Sequence, residues 1–177
     1  PKLSRGDESA TGRALILVDT SFSSEEGGAH ARRAKLIEAL LKKDTSIRQY
    51  AVALFDLRMR WLHDIGWRNN TEPNRKETAA QLRRVYLEGA TSFAAVLAEL
   101  QRQRAWAVDG EKTTVCLLSD GEITWGLDRV EALAARYPVL RDVRWITYRF
   151  GEAPVNGALF DVLSNESAGR TVTLLSE

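Results

Sequence analysis

A chain of 177 residues, 44% hydrophobic and 28% charged, has material for one globular domain with a sizeable core. Basic residues number 25 and acidic residues 24, so no global field points to nucleic acid or to an acidic membrane. The opening residues 1–12 are polar and read as the tail of a linker. That leaves 13–177 as a domain taken from a longer protein with flanking domains. Arg5-Gly6-Asp7 spells an adhesion tripeptide, but a three-residue match is too short to carry meaning.

Residues 13–19 open with the apolar run Ala14-Leu15-Ile16-Leu17-Val18, as expected for a strand covered on both faces. Residues 27–43 form a helix whose stripe is Ala34, Ile37, Leu40 and Leu41, with Lys42-Lys43 suited to the negative end of its dipole. Residues 50–55 are a second buried strand. Residues 58–65 alternate Met59, Trp61, His63 and Ile65 and read as an antiparallel hairpin partner at a sheet edge. Residues 66–75 read as loop, from Gly66, Asn69-Asn70 and Pro73. Helices follow at 77–85 and 91–104, the second with Phe93, Val96, Leu97 and Leu100 on one face. Residues 113–119 are a buried strand, and 127–136 a helix that Pro138 breaks. Residues 143–150 are a strand with Trp145 and Tyr148, 155–168 a helix stopped by Gly169, and 171–175 a last strand. Strands alternating with helices predict an α/β fold: a Rossmann-like, doubly wound, mostly parallel six-stranded sheet with one antiparallel edge strand and helices on both faces.

The single Cys116 excludes an internal disulfide and any cysteine-based zinc site. It lies within Val115-Cys116-Leu117-Leu118, where a free thiol behaves as a small buried hydrophobe. His30 and His63 are too far apart for a short metal-binding spacing and read as structural or surface residues. The arginines come in ones and twos (Arg32-Arg33, Arg83-Arg84, Arg102 with Arg104) and read as solvated helix faces. No apolar run is long enough for a membrane helix and no leader opens the chain, which excludes membrane insertion and leans to a cytoplasmic location.

In open α/β sheets, ligands bind beyond the carboxyl ends of the strands where strand order reverses. The first strand ends in Asp19-Thr20-Ser21-Phe22-Ser23, and the strand ending at Ser119 runs into Asp120-Gly121-Glu122. Between them, Gly89-Ala90-Thr91-Ser92 leads into a helix. Every donor there is a carboxylate or hydroxyl, a set that selects Mg²⁺, Mn²⁺ or Ca²⁺ over softer metals. Asp19, Ser21 and Ser23 at i, i+2, i+4 share one side of an extended loop, while Thr20 and Phe22 point away and Phe22 is free to pack. Each residue alone has an ordinary use as a helix cap or turn former; the combination at three strand ends and helix starts is what points to a site.

These residues resemble a von Willebrand factor type A (vWA) domain with a metal-ion-dependent adhesion site. The pattern is Asp-x-Ser-x-Ser, a later Thr and a later Asp-Gly, here Asp19-Thr20-Ser21-Phe22-Ser23, Thr91 and Asp120-Gly121. The resemblance covers about residues 13–176. Gly89-Ala90-Thr91 stands for a more usual Gly-Gly-Thr, and Ser24-Glu25-Glu26 departs from a Ser-Met-Gly continuation, which alters the rim and not the ligands. Asp120-Gly121-Glu122 and the close at Ala168-Gly169-Arg170 look most like bacterial members.

The resemblance implies a metal site of Asp19, Ser21, Ser23, Thr91 and Asp120, with hydroxyls binding directly and carboxylates often through water. An ion with few direct carboxylates keeps positive charge and accepts an oxygen from outside. The implied function is therefore metal-dependent protein–protein interaction, with a partner supplying an Asp or Glu carboxylate, and no catalysis. Glu122, Trp125, Trp67 and Arg68 are the candidate rim, since exposed Trp and Arg are typical interface anchors. Two other readings stand beside this one. A Mg²⁺-dependent phosphatase of haloacid-dehalogenase type would need a second Asp where Ser21 stands, and neither a Walker motif nor a Gly-x-Ser-x-Gly elbow occurs. The other is a structural domain with an idle metal site.

Overall fold

The computed structural model describes residues 12–22, 29–64, 66–87, 89–103, 113–150, 157–167 and 169–174. The expected linker up to residue 11, Ser23 and the Ser24-Glu25-Glu26 rim lie outside the described residues. Gly12 is tied to the fold, its carbonyl accepting from the N–H groups of Arg48 and Gln49 at 2.8 Å.

Four parallel pairings build the sheet. The strand β1 (Arg13–Asp19) lies between β2 (Gln49–Phe55) and β5 (Thr114–Ser119), and β5 continues to β6 (Arg144–Phe150) and β7 (Arg170–Leu174). Two short antiparallel strands, β3 (Met59–Trp61) and β4 (Arg68–Asn69), pair with the carboxyl and amino halves of β2 respectively. The order across the sheet is β3-β2-β1-β5-β6-β7, with β4 paired to β2 off this path. The chain thus adds strands to one side of β1 first and then to the other. That reversal sits between β1 and β5.

The sheet has seven strands where six were expected. The alternation of Met59 and Trp61 is a true edge signal, but the pairing stops just past Trp61, where Leu62 N–H donates to Val52 O at 2.9 Å. The chain then turns away and returns at Arg68, inside the stretch expected to be loop. The same stretch holds the start of α2 (Glu72–Leu82), five residues before the expected start at 77. Pro73 lies in its first turn, where a missing N–H costs nothing and the fixed φ favours the helix, so this proline opens a helix and does not mark a loop. Pro138 acts likewise: after α4 (Val130–Arg136) it starts a short α5 (Val139–Asp142) that the sequence did not suggest.

The remaining helices are α1 (Ala29–Lys43), α3 (Phe93–Arg102) and α6 (Gly157–Ser167). Alternation along the strands divides the core into two layers. Ala14, Ile16 and Val18 face Ala34, Ile37 and Leu41 of α1 and Leu82 of α2. Leu15 and Leu17 face the other way, toward Phe93, Val96, Leu97 and Leu100 of α3 and apolar residues of α4, α5 and α6. Trp145 is fully buried in this second layer, its indole N–H donating to Leu140 O at 3.0 Å. Where α6 hands over to β7, a Cβ on Gly169 would stand 1.9 Å from the Trp145 carbonyl oxygen. Gly169 is therefore required by close approach to β6, as well as ending the helix. No helix among the described residues is long and apolar enough to cross a membrane.

Candidate functional site

Because β1 and β5 run parallel side by side, their carboxyl ends open at the same level, with Val18 opposite Leu118. Asp19 and Ser119 follow, and Asp120 is the first residue beyond β5. Asp19 is fully buried. Its Oδ1 accepts the Ser21 N–H at 2.9 Å and the Ser21 hydroxyl at 2.6 Å. Its Oδ2 accepts the Ser119 hydroxyl at 2.6 Å. A serine that gives its proton to a carboxylate keeps its lone pairs for another electrophile. The Ser21 hydroxyl lies directly against the Asp19 carboxylate. Ser119 already accepts the Gly121 N–H at 3.0 Å and serves to hold the Asp19 carboxylate in place.

Thr91 arrives from the segment before α3. It is outside the helix, which Ser92 precedes as the N-terminal flanking residue without a side-chain cap bond. Its backbone is pinned: the Thr91 N–H donates to Thr124 Oγ1 at 2.8 Å, and the Thr91 carbonyl accepts from Thr124 and Trp125 N–H groups at 3.1 Å. Phe22 N–H reaches Gly89 O at 3.2 Å, which ties this segment to the loop after β1. Thr91 is 2% exposed, and its Oγ1 is buried without a hydrogen-bond partner among the described residues. Such an orphan costs roughly 1–3 kcal/mol unless something occupies its lone pairs.

The electrostatics fit the same picture. Burial raises the Asp19 carboxyl above its ordinary value, the nearby Asp120 charge adds to that, and the hydrogen bonds from Ser119 and Ser21 oppose it. Behind the strand end stands Arg33, 1% exposed, with Nη1 donating to the Asp19 main-chain carbonyl at 2.7 Å. Burial lowers its pKa, and the charges of Asp19 and Asp120 work against that lowering. Arg33 is thus no solvated helix residue, contrary to the sequence reading. It shares a face with Ile37 and Leu41 at spacings of four, so the buried stripe of α1 runs straight through it.

Asp120 is half-buried, and its Oδ1 accepts the Glu122 N–H at 2.9 Å. Gly121 between them has φ +86°. Among the described residues no three His, Cys, Asp or Glu side chains cluster, so this site has two carboxylates and draws its other donors from hydroxyls. Those donors suit a hard divalent cation: all are oxygens, and one is buried with its lone pairs unused. Asp19, Ser21, Thr91 and Asp120 are brought to one strand end; Ser23 lies outside the described residues.

The expected rim divides. Trp125 is 66% exposed and Glu122 half-buried, both in the loop after β5. Trp67 and Arg68 lie at the other end of the sheet. Arg68 pairs with Tyr50 at the start of β2, and the Arg13 guanidinium sits over the Trp67 ring, 5.6 Å from its centroid. Arg13 and Asp19 are the two ends of β1, about 20 Å apart at roughly 3.3 Å per residue. Arg68 is also engaged with His63 and Glu77. The long excursion after β3 carries this pair back to the amino edge, so neither belongs to the rim. Phe22, free to pack on the sequence reading, is 69% exposed beside Ser21. Ser119, Arg33 and Thr124 are the contributors that sequence reasoning missed.

No family model and no curated protein sequence matches the chain. Solved structures do. A von Willebrand factor type A protein from Catenulispora acidiphila superposes with TM-score 0.70 at 16% identity, covering 94% of this chain and 39% of that one. Manganese-loaded TRAP from Plasmodium vivax gives TM-score 0.64 at 22% identity over 86% of this chain and 61% of its own. The conserved hypothetical protein BatB from Bacteroides thetaiotaomicron gives 0.65 at 11% identity, over 92% and 89%. The chain therefore has the vWA fold, a mostly parallel sheet flanked by helices, and spans less than two thirds of the first and second of these relatives.

Proposed function

We propose that the carboxyl end of the sheet binds one divalent cation, Mg²⁺ or Mn²⁺, and through it a carboxylate of a protein partner. Asp19, Ser21, Thr91 and Asp120 would hold the ion, with Ser23 as a fifth ligand. The vWA fold is commonly used in protein–protein interaction, and the neighbour TRAP is described as manganese-loaded, both in keeping with this reading.

The observation that carries it is the Thr91 hydroxyl. It is a buried oxygen with idle lone pairs, an acceptor without a donor, at the same end of the sheet as the buried Asp19 carboxylate. A bound divalent ion supplies the missing electrophile and one exchangeable coordination position. The chain's own residues do the rest. Ser119 and Ser21 fix the Asp19 carboxylate. Thr124 fixes the Thr91 backbone. Arg33 holds the end of β1 through the Asp19 carbonyl.

Thermal unfolding with and without millimolar Mg²⁺ or Mn²⁺ tests the reading. An ion that binds the folded state raises the melting temperature by mass action. Asp19→Ala and Asp120→Ala should each abolish the rise. A wild-type curve that neither ion moves would refute the proposal.

A further inference from the structure

Among the described residues, four large hydrophobic side chains stand exposed: Phe22, Leu57, Tyr86 and Trp125. Three of the four follow the carboxyl ends of strands. Phe22 follows β1, Leu57 follows β2, Trp125 follows β5, and Tyr86 lies between α2 and Thr91. Exposed aromatics gathered on one side of a fold mark a contact surface.

Two of the four are held in place at the site itself. The Phe22 N–H is bonded to Gly89 O, and the Trp125 N–H to Thr91 O. Both side chains therefore project from backbone fixed to the segment that delivers Thr91, one from the β1 side and one from the β5 side. Rigid aromatics bring contact area at low entropic cost, and Trp is the residue most often found as an interface anchor.

Charge decides what sort of partner fits between them. Asp19 and Asp120 are two negative groups, and Arg33 is one positive group coupled to both. Without a cation the centre carries an excess negative charge. A divalent ion turns the sum over these three groups from one negative to one positive charge. A neutral or basic segment gains nothing from that centre, whereas one carboxylate completes it.

We propose that this surface docks an extended segment of a partner protein in which a single Asp or Glu is flanked on both sides by apolar side chains, seated on Phe22 and Trp125. The inference rests on the cation reading above and adds the chemistry of the partner.

The test uses fluorescein-labelled Gly-Phe-Asp-Leu-Gly, with Gly-Ser-Asp-Ser-Gly and Gly-Phe-Asn-Leu-Gly as comparisons, followed by anisotropy in Mg²⁺ or EDTA. The first peptide should bind in Mg²⁺ only, and each comparison should bind at least about tenfold more weakly. Phe22→Ser and Trp125→Ser should each weaken the first peptide about tenfold while leaving the Mg²⁺ rise in melting temperature intact, since neither supplies a cation ligand. Loss of that thermal rise in the wild type would sink the cation reading. With the rise present, equal binding of the Phe-Asp-Leu and Ser-Asp-Ser peptides, or no binding of the first, overturns the partner assignment alone. Mg²⁺-driven dimerisation abolished by Trp125→Ser, seen by sedimentation, would assign the surface to a second copy of the chain and overturn it equally.

Discussion

The Ser119 hydroxyl donates to Asp19 Oδ2 at 2.6 Å, joining residues 100 positions apart in the chain. The same oxygen accepts the Gly121 N–H, so one side chain ties the end of β1 to the turn that presents Asp120. Ser119→Ala removes a donor from a buried carboxylate and an acceptor from a buried N–H. Each loss is of the kind that leaves a group unsatisfied, together about 2–4 kcal/mol. Urea unfolding without metal should show that loss, and the Mg²⁺ thermal rise should shrink because Asp19 is no longer oriented. An unchanged midpoint would mean that the bond contributes nothing.

Gly121 is constrained twice. Its φ is +86°, and an added Cβ would stand 2.5 Å from Phe160 Cε2 on α6. Gly121→Ala should therefore destabilise by about 2–4 kcal/mol, combining a left-handed alanine with an overpacked contact. The double variant Gly121→Ala with Phe160→Leu separates the two: relief of the clash should recover part of the loss, and the backbone cost, about 1 kcal/mol, should persist. Denaturant midpoints for the single and double variants provide the check.

Cys116 lies at the centre of β5, and burial pushes its thiol up to about 12. Only the thiolate reacts quickly, and here it is both scarce and inaccessible. Iodoacetamide at pH 8 should leave the folded protein unmodified over hours, with complete reaction once urea unfolds it. Modification of the native protein at the rate of an unfolded thiol would contradict this placement.

How much of this was legible in the sequence follows from the range of the interactions involved. The buried strands were plain because Ala14 to Val18 and Val115 to Leu118 are apolar without interruption, a pattern set locally. The candidate ligands were placed for a related reason: Asp19 follows such a run directly and Asp120 follows one after Ser119, and a strand end is a fixed place in this architecture. What failed was set by distant partners. Pro73 looks like a loop residue, yet it opens a helix because a first turn needs no N–H, and Pro138, which ends α4 as expected, also precedes the short α5. Trp67 and Arg68 read as rim residues because nothing local says that a chain leaving β3 will return to the amino edge of β2. Arg33 reads as surface by its charge, although its spacing to Ile37 and Leu41 puts it on the buried face.

His63 sets the pH response of the edge that carries β4. Its Nε2 lies 2.9 Å from Thr78 Oγ1 on α2, and Arg68 Nη1 lies 2.8 Å from Nδ1. The same Nη1 lies 2.9 Å from Nε2, and an arginine donates only, so one ring nitrogen must accept and the ring is neutral. Burial lowers the His63 pKa from the ordinary 6.5, and the Arg68 charge lowers it further, while Glu77 and Asp64 oppose. A depressed value means that the folded state binds this proton less readily than the unfolded chain does. Its contribution to stability is therefore complete above about 6.5 and is lost as pH falls through the folded-state value. Urea midpoints measured from pH 8 to pH 5 should fall over the acid half of that range. His63→Gln, which keeps polar contacts but cannot titrate, should flatten the decline. An equally steep decline in both proteins would place the acid sensitivity elsewhere.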